Sequence, residues 1–162
     1  MKNFEENFNK LNLNSKNAVN AYRSGRQFMV TGINTFFPGI RINNRLYPTI
    51  ISSIVNEIFA CELFLKSMLM IKNGNNTTKK HKLLDLYDSL DNEDIEKYLL
   101  KYEFRKELEK ISNSFVMWRY CYEYDSIIIN SEFVFDFCST LEKINREKIF
   151  EEYNLDMEKS FI

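Results

Sequence analysis

The feature that most limits how this chain can fold is a run of 25 residues, Pro48 to Lys72, with no glycine and no proline after its first position. Proline suits the first position of a helix, because the N–H that it lacks would have no partner there in any case. Gly74 follows the run, and glycine is the residue type that most often ends a helix. Between Ile58 and Ile71 the residues are apolar on nearly every side of such a helix. We therefore expect this run to form the central, buried helix of the fold.

Helix-breaking residues are scarce in the whole chain. Only four Gly and two Pro occur among 162 residues, which favours long helices over many short strands. A long helix is predicted to begin at Ser15, with this residue as its cap, and to end at Pro38 and Gly39. A shorter helix is predicted in the segment KKHKLLDLYDSL, residues 79–90.

The spacing of apolar residues predicts the remaining helices. Six apolar residues recur at steps of three and four from Phe104 to Tyr122, and four recur in the same way from Phe133 to Ile144. The stretch after Ile144 is rich in charge, and we expect it to be exposed. The sequence thus predicts one all-α domain, an up-and-down bundle of four to five helices over residues 15–162, preceded by a flexible N-terminus at residues 1–14.

Cysteine usage and hydropathy indicate a cytoplasmic protein. Cys61, Cys121 and Cys138 lie in apolar stretches without a close-spaced pattern, which predicts buried free thiols rather than a disulfide or a metal site. The N-terminus lacks the apolar run of a signal peptide, and no segment has the 18 uncharged apolar residues of a membrane span. We expect no cofactor, no metal and no membrane association.

The net charge of −1 is unevenly distributed along the chain. Residues 1–50 carry a balance of +5, and the remainder carries −6. The basic first third can contact phosphate groups, or it can dock on the acidic remainder of the same chain.

Four charged residues interrupt the apolar helices in two pairs, each four residues apart: Glu62 with Lys66, and Arg119 with Glu123. Each pair shares a helix face. Burying a charge without a partner costs several kcal/mol or more, so these side chains should neutralise one another or line a polar pocket. One interpretation is a structural network of ion pairs, with Glu62 facing Arg119 and Lys66 facing Glu123. A second is a polar pocket for a nucleotide, a phosphate or a partner, and a third is that one or more of these side chains simply face solvent.

The only histidine, His81, stands among three lysines at the start of the short helix. Lys79, Lys80 and Lys82, together with the exposed amides at this helix start, are candidates to hold a phosphate. A lone histidine is more often a satisfied surface or core group than a catalyst. The spacing of Asp and Glu residues fits no calcium loop, and no glycine-rich phosphate loop occurs.

Three segments together resemble the HEPN superfamily of helical domains: CELFLKSMLM, then KKHKLLDLYDSL, then FVMWRYCYE. In several branches of that superfamily one helix carries Glu and Leu-Lys, the next opens with His and spaced leucines, and a later helix carries Arg-Tyr. The likeness covers about residues 48–145. It implies a helical bundle, often a homodimer, in bacterial or phage defence, toxin–antitoxin and RNA-processing systems.

Many members of that superfamily are metal-independent endoribonucleases whose signature is an Arg followed, four to six residues later, by a His. This chain lacks the signature, since no Arg precedes His81 at that spacing and no His follows Arg119. We therefore expect a non-catalytic binding or regulatory module for a nucleotide, RNA or a protein partner. The alternatives are an endoribonuclease with a rearranged site of His81 and Arg119, and a structural interaction protein or phage-encoded inhibitor.

Overall fold

The computed structural model describes the backbone of most of the chain, at residues 2–36, 41–42, 45–46, 49–74, 79–90, 94–119 and 129–158. Side chains are described in five ranges, at residues 4–36, 50–74, 79–90, 94–112 and 129–158.

The fold is all-α, as the sequence predicts. The described residues form seven helices: α1 (Lys2–Lys10), α2 (Leu13–Phe36), α3 (Thr49–Lys72), α4 (Leu83–Leu90), α5 (Asp94–Lys97), α6 (Phe104–Arg119) and α7 (Ser131–Tyr153). Two short strands, β1 (Arg41–Ile42) and β2 (Arg45–Leu46), pair in antiparallel fashion between α2 and α3.

Local signals in the sequence account for the ends of the long helices. Helix α3 ends at Lys72, and Gly74 adopts the left-handed conformation, with φ of 60°, that favours glycine. Helix α7 is capped by Asn130, whose side chain accepts a hydrogen bond from the N–H of Phe133 at 3.2 Å. At α2 the capping acceptor is Asn12 rather than the predicted Ser15, whose own N–H donates to the Asn12 Oδ1 at 2.8 Å.

Helix α3 is the central helix, and α2 packs against it in the antiparallel direction. Near the start of α2, the Ser67 hydroxyl donates to the carbonyl of Ala18 at 2.8 Å. Near the end of α2, the Ser53 hydroxyl donates to the carbonyl of Gly32 at 2.5 Å. Gly25 lies between these contacts, where a Cβ would come within 2.7 Å of the Phe64 ring. The absence of side chains at the two glycines of α2 thus allows the close approach of the two helices.

Helix α7 runs in the same direction as α3. Cys138 contacts Glu57 near the start of α3. Two turns further along α7, the Asn145 Oδ1 lies 3.1 Å from the Ser67 Oγ, and the Asn145 Nδ2 donates to the carbonyl of Phe64 at 3.0 Å. Helices α3 and α7 are thus parallel, as alternate helices of an up-and-down bundle are, and the finer prediction of an up-and-down bundle of four to five helices stays a prediction.

Both ends of the described chain contribute residues to the core. The segment predicted to be flexible contains α1, whose Phe4 and Phe8 pack against the core. The charged C-terminal stretch, predicted to be exposed, buries Ile149, Leu155 and Met157. These apolar residues are separated by charged ones, so the average composition of the stretch hides the few that pack inward.

The core otherwise follows the predicted pattern. Phe104, Leu108 and Ile111 are buried, whereas the rest of that predicted stripe lies beyond the described side chains. Cys61 and Cys138 are buried free thiols, as predicted, and Cys121 lies outside the described residues. Among the described helices, none is both long and apolar enough to cross a membrane.

Candidate functional site

Three of the predicted site residues come together at one place, which we call the Glu62 cluster: Glu62, Lys66 and His81. The Lys66 Nζ donates to the Glu62 Oε1 at 2.7 Å. The His81 Nδ1 lies 2.9 Å from the same oxygen and 3.5 Å from the Lys66 Nζ. The pairing of Glu62 with Lys66 follows from their spacing on α3, but the approach of His81 does not.

The position of His81 depends on how α4 is anchored. Leu83 and Leu86 are buried in the core, which fixes the first turn of this helix beside α3. The N–H of Leu84 donates to the Ser112 hydroxyl of α6 at 3.0 Å. His81 lies two residues before the start of this anchored turn, and its imidazole contacts Glu62 of α3.

Exposure increases stepwise across the Glu62 cluster. The side chain of Glu62 is 10% exposed, that of Lys66 18% and that of His81 70%. A nearly buried carboxylate requires compensation, and here one oxygen receives two charge-assisted contacts. The cluster therefore combines a nearly buried carboxylate that has hydrogen-bond partners with an imidazole that is accessible at the surface.

The hydrogen bond to Glu62 determines which imidazole nitrogen faces a ligand. An ionised carboxylate can only accept, so we assign the proton to Nδ1, which donates to the Glu62 Oε1. The other nitrogen, Nε2, has no hydrogen-bond partner among the described residues. In the neutral ring this nitrogen carries the lone pair, which makes it an acceptor, a base or a nucleophile.

The three lysines around His81 are all exposed, as expected of phosphate candidates. The side chain of Lys80 extends along α4, because its Nζ donates to the Ser89 hydroxyl at 2.9 Å. Lys79 and Lys82 lie on either side of Lys80 and His81 in the sequence. The segment from Lys79 to Lys82 thus adds positive charge to the surface next to the Glu62 cluster.

The other half of the predicted polar set lies outside the described side chains. Arg119 is the last residue of α6, and only its backbone is described; Glu123 lies beyond the described residues. The proposed pairings across the helices, Glu62 with Arg119 and Lys66 with Glu123, therefore stay predictions.

A second buried carboxyl group was missed by sequence reasoning. Glu57 lies on α3, is 1% exposed, and its Oε1 has no hydrogen-bond partner among the described residues. It faces Gly32, where a Cβ would lie 2.5 Å from that oxygen, and it contacts Cys138. Burial raises the pKa of Glu57 to about 7. The sequence contains a signal for this buried carboxyl group, since Glu57 lies within the same predicted helix, Pro48 to Lys72, as Glu62.

The basic first third of the chain is partly neutralised within the molecule. The Tyr22 hydroxyl donates to the Glu142 Oε1 at 2.6 Å, and the Arg26 Nε lies 3.6 Å from that oxygen. Burial, followed by this hydrogen bond, raises the pKa of Tyr22 well above its usual range. These contacts tie α2 to α7 and favour intramolecular docking for this part of the basic segment.

The structure also contains a cavity of about 520 Å³ that includes none of the Glu62 cluster. It is lined by Met68, Ile71, Lys72, Leu90, Lys148, Glu151 and Glu152. The described residues contain no group of three or more His, Cys, Asp or Glu side chains placed to hold a metal ion.

Comparisons with protein-family models, with curated proteins and with solved structures find no match to this chain.

Proposed function

We propose that the chain is a HEPN-like, non-catalytic binding module that holds a phosphate group of RNA or of a nucleotide at the Glu62 cluster. The observation that carries the proposal is the accessible His81 imidazole, anchored through Nδ1 on a nearly buried carboxylate. An anchored imidazole loses little freedom when a ligand binds, which favours recognition.

The charge around the cluster supports an anionic ligand. Lys66 balances Glu62 at 2.7 Å, so the carboxylate does not need His81 for neutralisation. An ammonium group has three N–H donors, and this ion pair uses one of the three on Lys66. Lys79 and Lys82 add exposed positive charge beside it. A phosphate would gain these donors, while the Nε2 lone pair of His81 can accept a hydrogen bond from a hydroxyl of the same ligand.

The wider setting rests on the resemblance to HEPN domains. By that resemblance the module acts in a bacterial or phage defence or toxin–antitoxin system, in the cytoplasm, as a homodimer that has a protein partner from the same system. Sedimentation of the purified protein at twice the mass of the chain would support the dimer.

An endoribonuclease with a rearranged site is the second candidate, and the Glu62–His81 contact favours it. A carboxylate that orients an imidazole is a common arrangement for general-base catalysis. Helix α6 runs antiparallel to α4, because Arg105 pairs with Asp88 at 2.9 Å and Ser112 contacts Leu84. Arg119 lies two turns beyond Ser112, at the end of α6 that is directed toward His81. It would there stabilise the charge on a cleaved phosphate.

Binding of a labelled single-stranded RNA, measured by fluorescence anisotropy, tests the proposal. We expect saturable binding of the RNA. Adenosine monophosphate should compete with it, and Lys66→Met and His81→Ala should each weaken it. A matched control is Lys106→Met on α6, which removes the same charge from an exposed pair with Glu103. Wild-type protein that binds neither RNA nor nucleotide would contradict the proposal. Cleavage of the RNA that is lost in His81→Ala would replace it with the endoribonuclease.

A further inference from the structure

His81 combines two properties that rarely coincide in a surface histidine. Its ring is oriented, because Nδ1 contacts the Glu62 Oε1 at 2.9 Å, and it is accessible, because 70% of its side chain is exposed. A simple surface histidine has no fixed orientation, and a structural histidine is buried. The remaining nitrogen, Nε2, is therefore presented to solvent in a defined tautomer.

We propose that His81 is a phosphoryl-acceptor site, at which Nε2 takes a phosphoryl group from an acyl phosphate donor. The inference rests on the proposed function in that the donor's phosphate is first held at the Glu62 cluster. It goes beyond that function because a covalent bond to the protein forms.

The transfer balances without any further reactant. The Nε2 lone pair forms a bond to phosphorus, the bond from phosphorus to the acyl oxygen breaks, and the carboxylate leaves with that electron pair. No atom is oxidised or reduced, and no proton has to move. The ring becomes positively charged while Nδ1 keeps its proton, and the hydrogen bond to Glu62 stabilises this charge. Lys66 and the neighbouring lysines offset the charge of the phosphoryl oxygens.

The composition of the cluster favours transfer to the histidine over strand cleavage. Cleavage of RNA by proton transfer requires a base and an acid on opposite sides of the phosphorus. The chain has only one histidine, so a second histidine of the same chain cannot serve as the acid. Transfer to nitrogen requires one nucleophile, and the exposure of His81 admits a donor as large as another protein.

Glu62 acts in this proposal as a positioning residue. It fixes the tautomer and balances the imidazolium, but it does not contact phosphorus. Glu62→Gln retains an acceptor of similar shape and removes the charge. We expect it to slow the transfer about 10- to 100-fold, the equivalent of one charge-assisted hydrogen bond.

The test is incubation of the full chain with acetyl phosphate, followed by intact mass measurement and ³¹P NMR. We expect one added phosphoryl group, labile in acid and stable in base, on the wild type and on Lys106→Met. His81→Ala and His81→Asn should not be labelled, and thermal melting should show that at least one of them is folded. Because the chain has one histidine, a histidine-type ³¹P signal identifies the site.

The outcomes separate this inference from the proposed function. An unlabelled wild type, or equal labelling of the folded His81 variants, overturns the acceptor site even where RNA or nucleotide binding is intact. Equal rates for wild type and Glu62→Gln overturn the positioning role. Labelling of His81 in a protein that binds no RNA or nucleotide supports the acceptor site and contradicts the proposed function.

Discussion

At the scale of single residues, Glu57 shows how one buried group couples stability to pH. Its carboxyl group lies between α2, α3 and α7, with Gly32 and Cys138 beside it and one oxygen without a described partner. Burial disfavours the charged form, which raises the pKa from 4.5 to about 7 in the folded protein. The folded state therefore holds this proton more tightly than the unfolded chain does.

The sign of the effect on stability follows from this difference. Because the pKa is raised on folding, the contribution of Glu57 is fully present below about pH 4.5 and is lost as the pH rises through 7. We expect the free energy of unfolding of the wild type, relative to Glu57→Gln, to fall by about 3 kcal/mol between pH 4 and pH 8. Urea denaturation of both proteins at the two pH values measures it. A difference that does not change with pH would contradict the protonated, buried state of Glu57.

Asn145 is a second residue whose role depends on burial. It is fully buried, its Oδ1 contacts the Ser67 hydroxyl at 3.1 Å and its Nδ2 donates to the Phe64 carbonyl, which links α7 to α3. Replacing it with Ala removes both contacts and opens a small space. We expect Asn145→Ala to lower the free energy of unfolding by about 2 kcal/mol, measured by urea denaturation. A change below about 0.5 kcal/mol would show that the link contributes little.

At the scale of helices, the packing of α2 on α3 depends on glycine. A Cβ at Gly25 would lie 2.7 Å from a carbon of the Phe64 ring, and that ring is fully buried. We expect Gly25→Ala to destabilise the protein by about 1–3 kcal/mol through overpacking, although alanine is the better helix former. Thermal unfolding provides the measurement.

Gly74 provides the matched control for this prediction. A Cβ there meets nothing within 4 Å, but φ is 60°. Gly74→Ala should lower the free energy of unfolding by only about 1 kcal/mol, because a residue with a side chain is strained in the left-handed conformation. A Gly25→Ala variant as stable as the wild type would contradict the close packing of α2 on α3.

The elements that sequence predicted best are those with local signals. The extent of α3 follows from Pro48, Gly74 and the apolar run between them, and the pairing of Glu62 with Lys66 follows from helical spacing. The direction of α7 relative to α3, and the approach of His81 to Glu62, depend on the path of the chain between helices. Contacts such as Ser67 to Asn145 join residues 78 apart, and helical periodicity contains no information about them.

At the scale of the whole molecule, some basic residues form contacts within the fold and others are exposed at the surface. Part of the basic first third is used internally, since Arg26 lies 3.6 Å from Glu142 of α7. The segment from Lys79 to Lys82 is exposed beside an anchored imidazole. The anchored imidazole of the only histidine therefore lies within an exposed basic segment.

The central claim is that a phosphate binds at the Glu62 cluster, and NMR titration of the single histidine tests it most directly. We predict that adenosine monophosphate and short single-stranded RNA produce the same saturable shift of the His81 ring resonances. Lys66→Met should weaken this binding about tenfold and Lys106→Met should not, because only Lys66 belongs to the cluster. Binding of either ligand that leaves the His81 resonances unmoved would contradict the claim.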